Sequence, residues 1–296
     1  MPGLAWRDLF VIHRLEYPLA LTYLCYAGWG AGYAAGRAAP LAPAVLAVAA
    51  NALLILAALA LNAAADVRTD ELDADKGDLA GAVLRLGRGR TLGLAGAEAG
   101  AGLACACAVA LLTGRWIVPG LAVAAAVLHL AYNVEPVRLK RRGFAGPPAF
   151  GLGLVGMPFL LAYCAVAADG SVWPVWPVFA GLTVLAIGRT AWWSVPDRAA
   201  DTVAGVGTPA VRHGAARALG LACLIMLAGL VLLALGLART LGFAWVIPGI
   251  AAHAAFLITS VALLSQSTLP NGAVRRRGTT LVVIGEVVLT ALPLVA

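Results

Sequence analysis

Charged residues are scarce in this sequence: only 12% of its 296 residues are Asp, Glu, Lys or Arg, whereas 62% are hydrophobic. Soluble domains contain about 25% charged residues on average, so the composition excludes an ordinary soluble protein. The alternation of apolar and polar residues over segments of about 10 residues that a membrane β-barrel requires is also missing. Residues 1–17 carry charges, but no small-residue cleavage site follows them, so no signal peptide is predicted.

Cysteine is rare as well, and its distribution excludes a disulfide framework. All five cysteines lie in apolar segments, and the two closest in sequence are two positions apart, which puts them on different sides of a helix. We therefore expect buried structural thiols rather than a disulfide or a metal site. These residues are Cys25, Cys105, Cys107, Cys164 and Cys223.

Long apolar segments dominate the chain, and several reach the roughly 17–25 residues that a membrane-spanning helix needs. Nine spans are predicted, at residues 18–36, 42–65, 92–112, 117–132, 150–168, 173–193, 216–237, 243–264 and 280–295. The expected fold is an all-α polytopic membrane protein with nine transmembrane helices in one domain, residues 1–296. We expect it in the inner or plasma membrane of the cell.

The net charge of +7 does not indicate nucleic acid as a partner, because the basic residues are expected to lie between the apolar segments. Most of them fall in the N-terminal segment or after predicted spans two, four, six and eight, and the other connections hold only Arg37, Arg115 and Arg239. Cytoplasmic loops carry an excess of Lys and Arg. The N-terminus is therefore predicted in the cytoplasm and the C-terminus outside. Five tryptophans then lie at outer ends of spans, as in an aromatic belt: Trp29, Trp116, Trp173, Trp176 and Trp245.

Two acidic clusters follow even-numbered spans on the predicted cytoplasmic side. LNAAADVRTDELDADKGD contains Asp66 and Asp70, and WWSVPDRAADTVAGVGTPAVRHG contains Asp197 and Asp201. Carboxylates four residues apart share one face of a helix and repel each other unless a cation lies between them. Two such pairs of oxygen ligands suit Mg²⁺. The alternative is two solvated helix ends whose acids balance nearby basic residues: Arg68, Lys76, Arg198 and Arg212.

A basic segment, AYNVEPVRLKRRG, follows predicted span four on the same side. It contains Arg138, Lys140, Arg141 and Arg142. One interpretation is an anchor on the cytoplasmic face, which suffices for Arg141 and Arg142. Beside two acidic pairs of the Mg²⁺ type, however, basic groups bind the remaining charge of a diphosphate. The predicted ligand is Mg²⁺–diphosphate with an apolar tail in the membrane.

Together these residues resemble the motifs of the UbiA superfamily of intramembrane prenyltransferases. The first motif, Asn-Asp-x-x-Asp-x-x-x-Asp, is matched by Asn62, Asp66 and Asp70. The second motif is matched by Asp197, Asp201, Gly205, Thr208 and Pro209. The basic segment resembles the Tyr-Ser-x-Pro-Pro-x-Arg-Leu-Lys-x-Arg-Gly of the chlorophyll-synthase-like branch through Tyr132, Pro136, Arg138, Leu139, Lys140, Arg142 and Gly143.

The sequence departs from these motifs at several positions. Ala63 replaces the Asp that usually follows the Asn of the first motif, and Trp193 and Ser194 stand where the second motif usually has Lys and Asp. Each half of the site therefore keeps two acids and lacks an auxiliary one, which leaves the number of bound ions open. The segment DADKGDLAG also lacks the usual Asn-x-Pro-x-Arg-Pro pattern, so the acceptor is not identified.

The resemblance implies a helical bundle with a central apolar chamber that opens at the cytoplasmic edge. It implies Mg²⁺ as the cofactor, held by Asp66, Asp70, Asp197 and Asp201. The substrates implied are an isoprenyl diphosphate and a lipophilic or aromatic acceptor, both within membrane lipid. Lys140 is expected to assist departure of the diphosphate, and the substrate-binding residues are expected to be Asn62, Tyr132, Arg138, Lys140 and Arg68.

Several roles and two other functions stay open at this stage. Tyr132 either binds the diphosphate or is an interfacial aromatic residue, and Trp192 and Trp193 either stabilise an allylic cation or anchor a helix. Glu98 and Glu286 fit hydrogen bonds between helices better than a role in lining the chamber. A UbiA-type terpene cyclase, which needs no acceptor, keeps the same Asp pairs. A non-catalytic transporter or lipid-binding protein is the third hypothesis.

Overall fold

The computed structural model describes residues 6–16, 18–35, 39–72, 76–167, 173, 175–264 and 272–296. Every regular element in these ranges is a helix, as the composition predicts. The α-helices are α1 Trp6–Ile12, α2 Leu19–Ala35, α3 Leu41–Asp70, α4 Gly77–Leu86, α5 Arg88–Thr113, α6 Ile117–Asn133, α7 Gly146–Gly151, α8 Met157–Val166, α9 Trp176–Trp193, α10 Arg198–Val203, α11 Pro209–His213, α12 Ala215–Thr240, α13 Val246–Leu264 and α14 Gly272–Val295.

Six of the described helical segments are long and apolar enough to cross a membrane: Leu41–Asp70, Arg88–Thr113, Gly143–Val166, Ala215–Thr240, Phe243–Leu264 and Arg275–Val295. The predicted number of nine spans is therefore not confirmed. The other three predicted spans coincide with α2, α6 and α9, which have 17, 17 and 18 residues. A helix of about 17 residues is roughly 26 Å long, somewhat less than a hydrocarbon core of about 30 Å. In α9, Arg189 also interrupts the apolar sequence.

Close packing of α9 against α12 depends on glycine. A Cβ atom at Gly181 in α9 would lie 2.5 Å from the backbone nitrogen of Leu233, and one at Gly229 in α12 would lie 2.7 Å from that of Leu185. A side chain at either position would therefore push the two helices apart. Small residues at such crossings let membrane helices pack through their backbones. This contact holds α9 in place, and the end of α9 leads into the second acidic cluster at Asp197.

A buried ion pair connects three helices in the apolar interior. Arg189 in α9 donates a hydrogen bond of 2.9 Å to Glu286 Oε1 in α14, and the hydroxyl of Tyr26 in α2 donates one of 2.6 Å to the same oxygen. Glu286 is completely buried. The expectation that basic residues lie only between apolar segments is wrong for Arg189. The expectation that Glu286 is hydrogen-bonded between helices is confirmed.

Glu98, the acid within α5, contacts the segment that follows α1. Its Oε1 lies 2.8 Å from His13 Nε2, and both side chains are largely buried. Burial alone would lower the pKa of His13, but the carboxylate of Glu98 raises it above its ordinary value. The bond therefore holds the N-terminal segment against α5, and it supports the structural interpretation of Glu98.

The two ends of the bundle carry different residues. At one end, the C-terminal end of α3 and the loop after α10 both contact the basic segment after α6, as described below. At the other end, Tyr33 of α2, Thr240 of α12 and Pro293 of α14 line a common groove. Arg239, next to Thr240, therefore lies far from the acidic clusters along the bundle.

The orientation of the bundle can be tested by labelling single cysteines, after replacement of the five free native cysteines. Cysteines placed near Lys76, Arg141, Arg212 and Arg276 are expected to react only with a reagent added on the cytoplasmic side, because the basic excess lies there. A cysteine near Arg239 should react only from outside. Labelling at position 141 from outside alone would reverse the orientation.

Candidate active site

The first acidic pair lies in the last two turns of α3. Asp66 and Asp70 are each only 2% exposed, although they are four residues apart on one helical face. A buried carboxylate is costly unless a positive charge or a hydrogen bond compensates it. The environment of each acid therefore decides what the pair can bind.

Asp66 is compensated by two basic side chains from the segment after α6. Arg138 Nη2 lies 3.0 Å from Asp66 Oδ1, and Lys140 Nζ donates a hydrogen bond to Asp66 Oδ2. The Nδ2 group of Asn62, one turn earlier on α3, donates a further hydrogen bond of 2.8 Å to Oδ2. Four of the residues predicted for the site are thus in direct contact: Asn62, Asp66, Arg138 and Lys140.

The backbone of the basic segment is held in an unusual conformation. Arg138 has a φ of 28°, a conformation that side chains other than glycine rarely adopt. Such local strain is tolerated when surrounding contacts hold the residue in place, and it is concentrated at functional sites. Downstream, the Gly143 nitrogen donates a hydrogen bond of 2.7 Å to the Gly207 carbonyl. This bond ties the basic segment to the loop that follows the second acidic pair.

The second acidic pair follows the end of α9. Asp197 precedes α10, and its Oδ2 lies 3.0 Å from Lys76 Nζ. Asp201, within α10, is 5% exposed and accepts a hydrogen bond of 3.0 Å from the hydroxyl of Thr208. Burial raises the pKa of Asp201 to about 6, and the charge of Asp197 adds to this effect against the opposing charge of Lys140.

Lys140 links the two acidic pairs electrostatically. Burial alone would lower the pKa of Lys140, but Asp66, Tyr132 and Asp70 raise it well above its ordinary value. Its positive charge also acts on Asp201. Beside the second pair, burial alone would lower the pKa of Lys76, but the carboxylate of Asp197 raises it above its ordinary value. One acid of each pair is therefore bonded to basic groups, while the other has no such bond to any residue that the structure describes.

The acids fit Mg²⁺ by their chemistry, although they do not form a closed metal cage. Among the described residues, no three His, Cys, Asp or Glu side chains already surround one metal position. Two carboxylate oxygens, Asp70 Oδ2 and Asp197 Oδ1, are buried and receive no hydrogen bond from the described residues. Mg²⁺ is usually bound by one or two carboxylates, with waters and substrate phosphates as its other ligands. Each pair alone offers such a set.

The other residues predicted for the site have no described hydrogen bond to the two acidic pairs. Tyr132 is buried, with its ring centroid 5.3 Å from that of Phe150, and it lines a small cavity of about 20 Å³ together with Asn62. Arg68 lies on the exposed side of α3, away from Asp66. Trp192 is completely buried and Trp193 is partly buried. The ring of Trp193 lies 5.5 Å below the guanidinium of Arg275.

Arg141 and Arg142 do more than anchor the loop. Arg141 donates hydrogen bonds to Glu135 Oε1 (3.2 Å) and to the Gly205 carbonyl (3.1 Å). Arg142 donates to the carbonyls of its own segment, at 2.6 Å and 2.7 Å. Both side chains are therefore part of the local loop structure, although they do not contact the described carboxylates of the two acidic pairs.

Three residues at the site were not predicted from the sequence. Arg14 donates a hydrogen bond of 2.9 Å to Asn62 Oδ1, and Asn133 accepts one of 2.8 Å from Asn62 Nδ2. Arg275 lies 3.8 Å from Asp197 Oδ1. Asn133 follows Tyr132 at the end of an apolar segment, so its position in the sequence could have indicated that it belongs to the site. Arg14 and Arg275 stand among other basic residues, and nothing in their spacing distinguishes them.

One known protein family matches most of this chain. The model of the UbiA prenyltransferase family matches residues 23–279. The bacteriochlorophyll synthase 33 kDa chain of Rhodobacter capsulatus is 32% identical over 118 residues, and the match spans only 38% of this chain and 38% of that relative.

Solved structures share the fold over nearly the whole chain. A UbiA homolog from Archaeoglobus fulgidus bound to DMAPP and Mg²⁺ superposes with a TM-score of 0.70 at 20% identity, over 96% of this chain and 100% of that chain. Digeranylgeranylglyceryl phosphate synthase superposes with a TM-score of 0.70 at 15% identity, over 97% of this chain and 98% of that chain. At these identities the comparison establishes a common helical fold.

Proposed function

This chain belongs to the UbiA prenyltransferase family, and from that premise we propose that it transfers an isoprenyl chain from an isoprenyl diphosphate to a lipophilic or aromatic acceptor within the membrane, with Mg²⁺ as cofactor. The observation that carries the proposal is the position of Lys140. It bonds to Asp66 of the first acidic pair and acts electrostatically on Asp201 of the second. A substrate with several negative charges fits a position where both pairs and a lysine meet.

The proposed reaction begins with cleavage of the bond between C1 of the isoprenyl group and the diphosphate oxygen, whose electron pair leaves with the diphosphate. Mg²⁺, when bound by the acidic pairs, supplies charge neutralisation for this leaving group. Lys140 and Arg138 donate charge-assisted hydrogen bonds to the diphosphate oxygens, and these bonds strengthen as negative charge accumulates there. Asn62 orients Asp66 through its amide.

The membrane setting serves the second half of the proposed reaction. An allylic cation reacts rapidly with water, so the acceptor must meet it in an apolar space between the helices. The small cavity beside Tyr132 and Asn62 is lined by both polar and apolar side chains, and we propose that a larger chamber opens there when substrate binds. The acceptor lone pair or π-electrons then form the new bond to C1.

The acceptor is the least defined part of this proposal. The partial match to a bacteriochlorophyll synthase makes a bacteriochlorophyll precursor the first acceptor to test. Purified protein is incubated with a panel of isoprenyl diphosphates and Mg²⁺, with and without that acceptor, and the products are identified by mass spectrometry. A product that carries the acceptor plus a prenyl group supports transfer. A cyclic hydrocarbon formed equally well without acceptor would identify a cyclase instead.

A substitution at Lys140 tests its role in binding the diphosphate. Lys140→Ala is expected to lower kcat/KM by roughly 10- to 150-fold, because a hydrogen bond to a charged group contributes about 1.5–3 kcal/mol. Arg141→Ala is the matched control: its side chain is exposed and bonds to Glu135 and a backbone carbonyl, so we expect a loss below about fivefold. Equal losses in the two variants would remove Lys140 from the site.

A further inference from the structure

Asp197 is held by two basic side chains, one near the end of the first acidic cluster and one in α14. Lys76 precedes α4, and its Nζ is 3.0 Å from Asp197 Oδ2. Arg275 lies in the first turn of α14, and its Nη1 is 3.8 Å from Asp197 Oδ1. Two chain segments far apart in the sequence therefore place a positive charge on the same carboxylate.

Arg275 has a second contact that fixes where its guanidinium lies. The guanidinium carbon is 5.5 Å from the centroid of the Trp193 ring, within range of a cation–π attraction. Trp193 ends α9, four residues before Asp197. Arg275 thus lies between the end of α9 and Asp197 of the second acidic pair. Its distance of 3.8 Å from Asp197 is longer than a hydrogen bond, so this ion pair is easily exchanged.

We propose that Arg275 is a diphosphate-binding residue. In the absence of metal, Arg275 and Lys76 together neutralise Asp197. When Mg²⁺ binds this carboxylate, Arg275 bonds to the diphosphate instead. The inference rests on the proposed function and adds a residue to its substrate site. A divalent cation and the guanidinium compensate the same carboxylate, so the two compete for it. Once displaced, Arg275 faces the phosphate oxygens that accompany the metal, and its planar fork matches their geometry.

If Arg275 exchanges partners in this way, its replacement should change the affinities for Mg²⁺ and for pyrophosphate in opposite directions. Arg275→Gln removes a competitor of the metal, so Mg²⁺ alone should bind more tightly, by roughly three- to tenfold. The same change removes a donor to the diphosphate, so inorganic pyrophosphate should bind about tenfold more weakly at saturating Mg²⁺. A residue with only a structural role would weaken both ligands together.

Isothermal titration of the full-length protein in detergent measures both affinities, with Mg²⁺ alone and with inorganic pyrophosphate at saturating Mg²⁺ as the probes. Arg276→Gln and Arg277→Gln are matched controls, because these exposed neighbours carry the same charge on the same helix. We expect both controls to bind each probe as the wild type does. Arg275→Lys, which keeps the charge without the planar fork, should recover part of the lost pyrophosphate affinity.

Three results would overturn the inference. If Arg275→Gln binds both probes as the two controls do, Arg275 takes no part in the site. If it weakens Mg²⁺ and pyrophosphate alike, its role is structural. In either case the proposed function stands, because the wild type still binds both probes. If the wild type itself binds neither probe, the proposed function fails and this inference fails with it.

Discussion

Replacement of Asp70 by Asn is expected to lower Mg²⁺-dependent diphosphate release by at least about 100-fold, because it removes a proposed carboxylate ligand of Mg²⁺. Such a metal supplies several kcal/mol of charge stabilisation. The thermal stability of the variant should equal or exceed that of the wild type. Asp70 is buried with one oxygen that receives no hydrogen bond from the described residues, and it lies beside the like charge of Asp66. Loss of its charge therefore relieves a cost in the metal-free protein.

Asp66→Asn is the matched comparison, because it makes the same chemical change one helical turn away. Asp66 bonds to Lys140 and Arg138, so its neutralisation leaves two partly buried positive charges without their partner. We expect this variant to lose activity and also to melt at a lower temperature. Activity is measured by diphosphate release and stability by thermal unfolding in detergent. Full activity in Asp70→Asn, or equal melting of the two variants, would contradict this account of the pair.

Glu286→Ala is expected to destabilise the protein by about 3–5 kcal/mol, because it leaves Arg189 charged in the apolar interior with only the Tyr26 hydroxyl as a described hydrogen-bond partner. Arg189 and the hydroxyl of Tyr26 both donate to the same oxygen of Glu286, so the change breaks two hydrogen bonds among three helices. In a detergent unfolding experiment, we expect the melting temperature to fall by roughly 10 °C.

A double variant separates the charge from the packing at this position. Arg189→Met combined with Glu286→Leu removes both charges and restores apolar volume, so most of the lost stability should return. If Glu286→Ala melts like the wild type, the ion pair does not hold α9 and α14 together. If the double variant is as unstable as Glu286→Ala, the loss comes from packing rather than from the uncompensated charge.

The elements of the candidate site follow from the sequence because their spacing has direct geometric meaning. Acids four residues apart lie on one face of a helix, so Asp66 and Asp70 at the end of an apolar segment define a polar helix end. The alternation of membrane spans then brings every second loop to the same side, which places Asp197 and the basic segment at the same end of the bundle. These two rules were enough to nominate Asp66 and Lys140 as members of one site, and the structure adds their direct hydrogen bond.

The partners of individual charges could not be predicted in the same way. Lys76 was weighed only as a neighbour that balances charge, and the structure pairs it with Asp197. Arg275 stands in a run of three arginines, and only its side-chain contacts with Trp193 and Asp197 distinguish it from its neighbours. Lateral contacts between loops depend on how helices pack, and the spacing along the chain carries no information about this.

The predicted number of spans is not confirmed, and the expected position of Arg189 is wrong, for related reasons. A hydropathy argument treats a basic residue near the end of an apolar segment as part of the following loop. Arg189 instead lies within α9, because Glu286 from α14 compensates its charge. Likewise, helices of 17 residues such as α2 and α6 are held by packing inside the bundle, so their length alone does not determine whether they span the membrane.

The central claim is that the acidic pairs bind Mg²⁺ to drive departure of a diphosphate. Its most direct test is a Mg²⁺ titration of diphosphate release from isoprenyl diphosphates by the purified protein, alongside Asp70→Asn and with a chelator as the blank. The account predicts release that rises with Mg²⁺, stops with the chelator and falls at least about 100-fold in the variant. Release that is indifferent to the chelator, or equal in the two proteins, would contradict it.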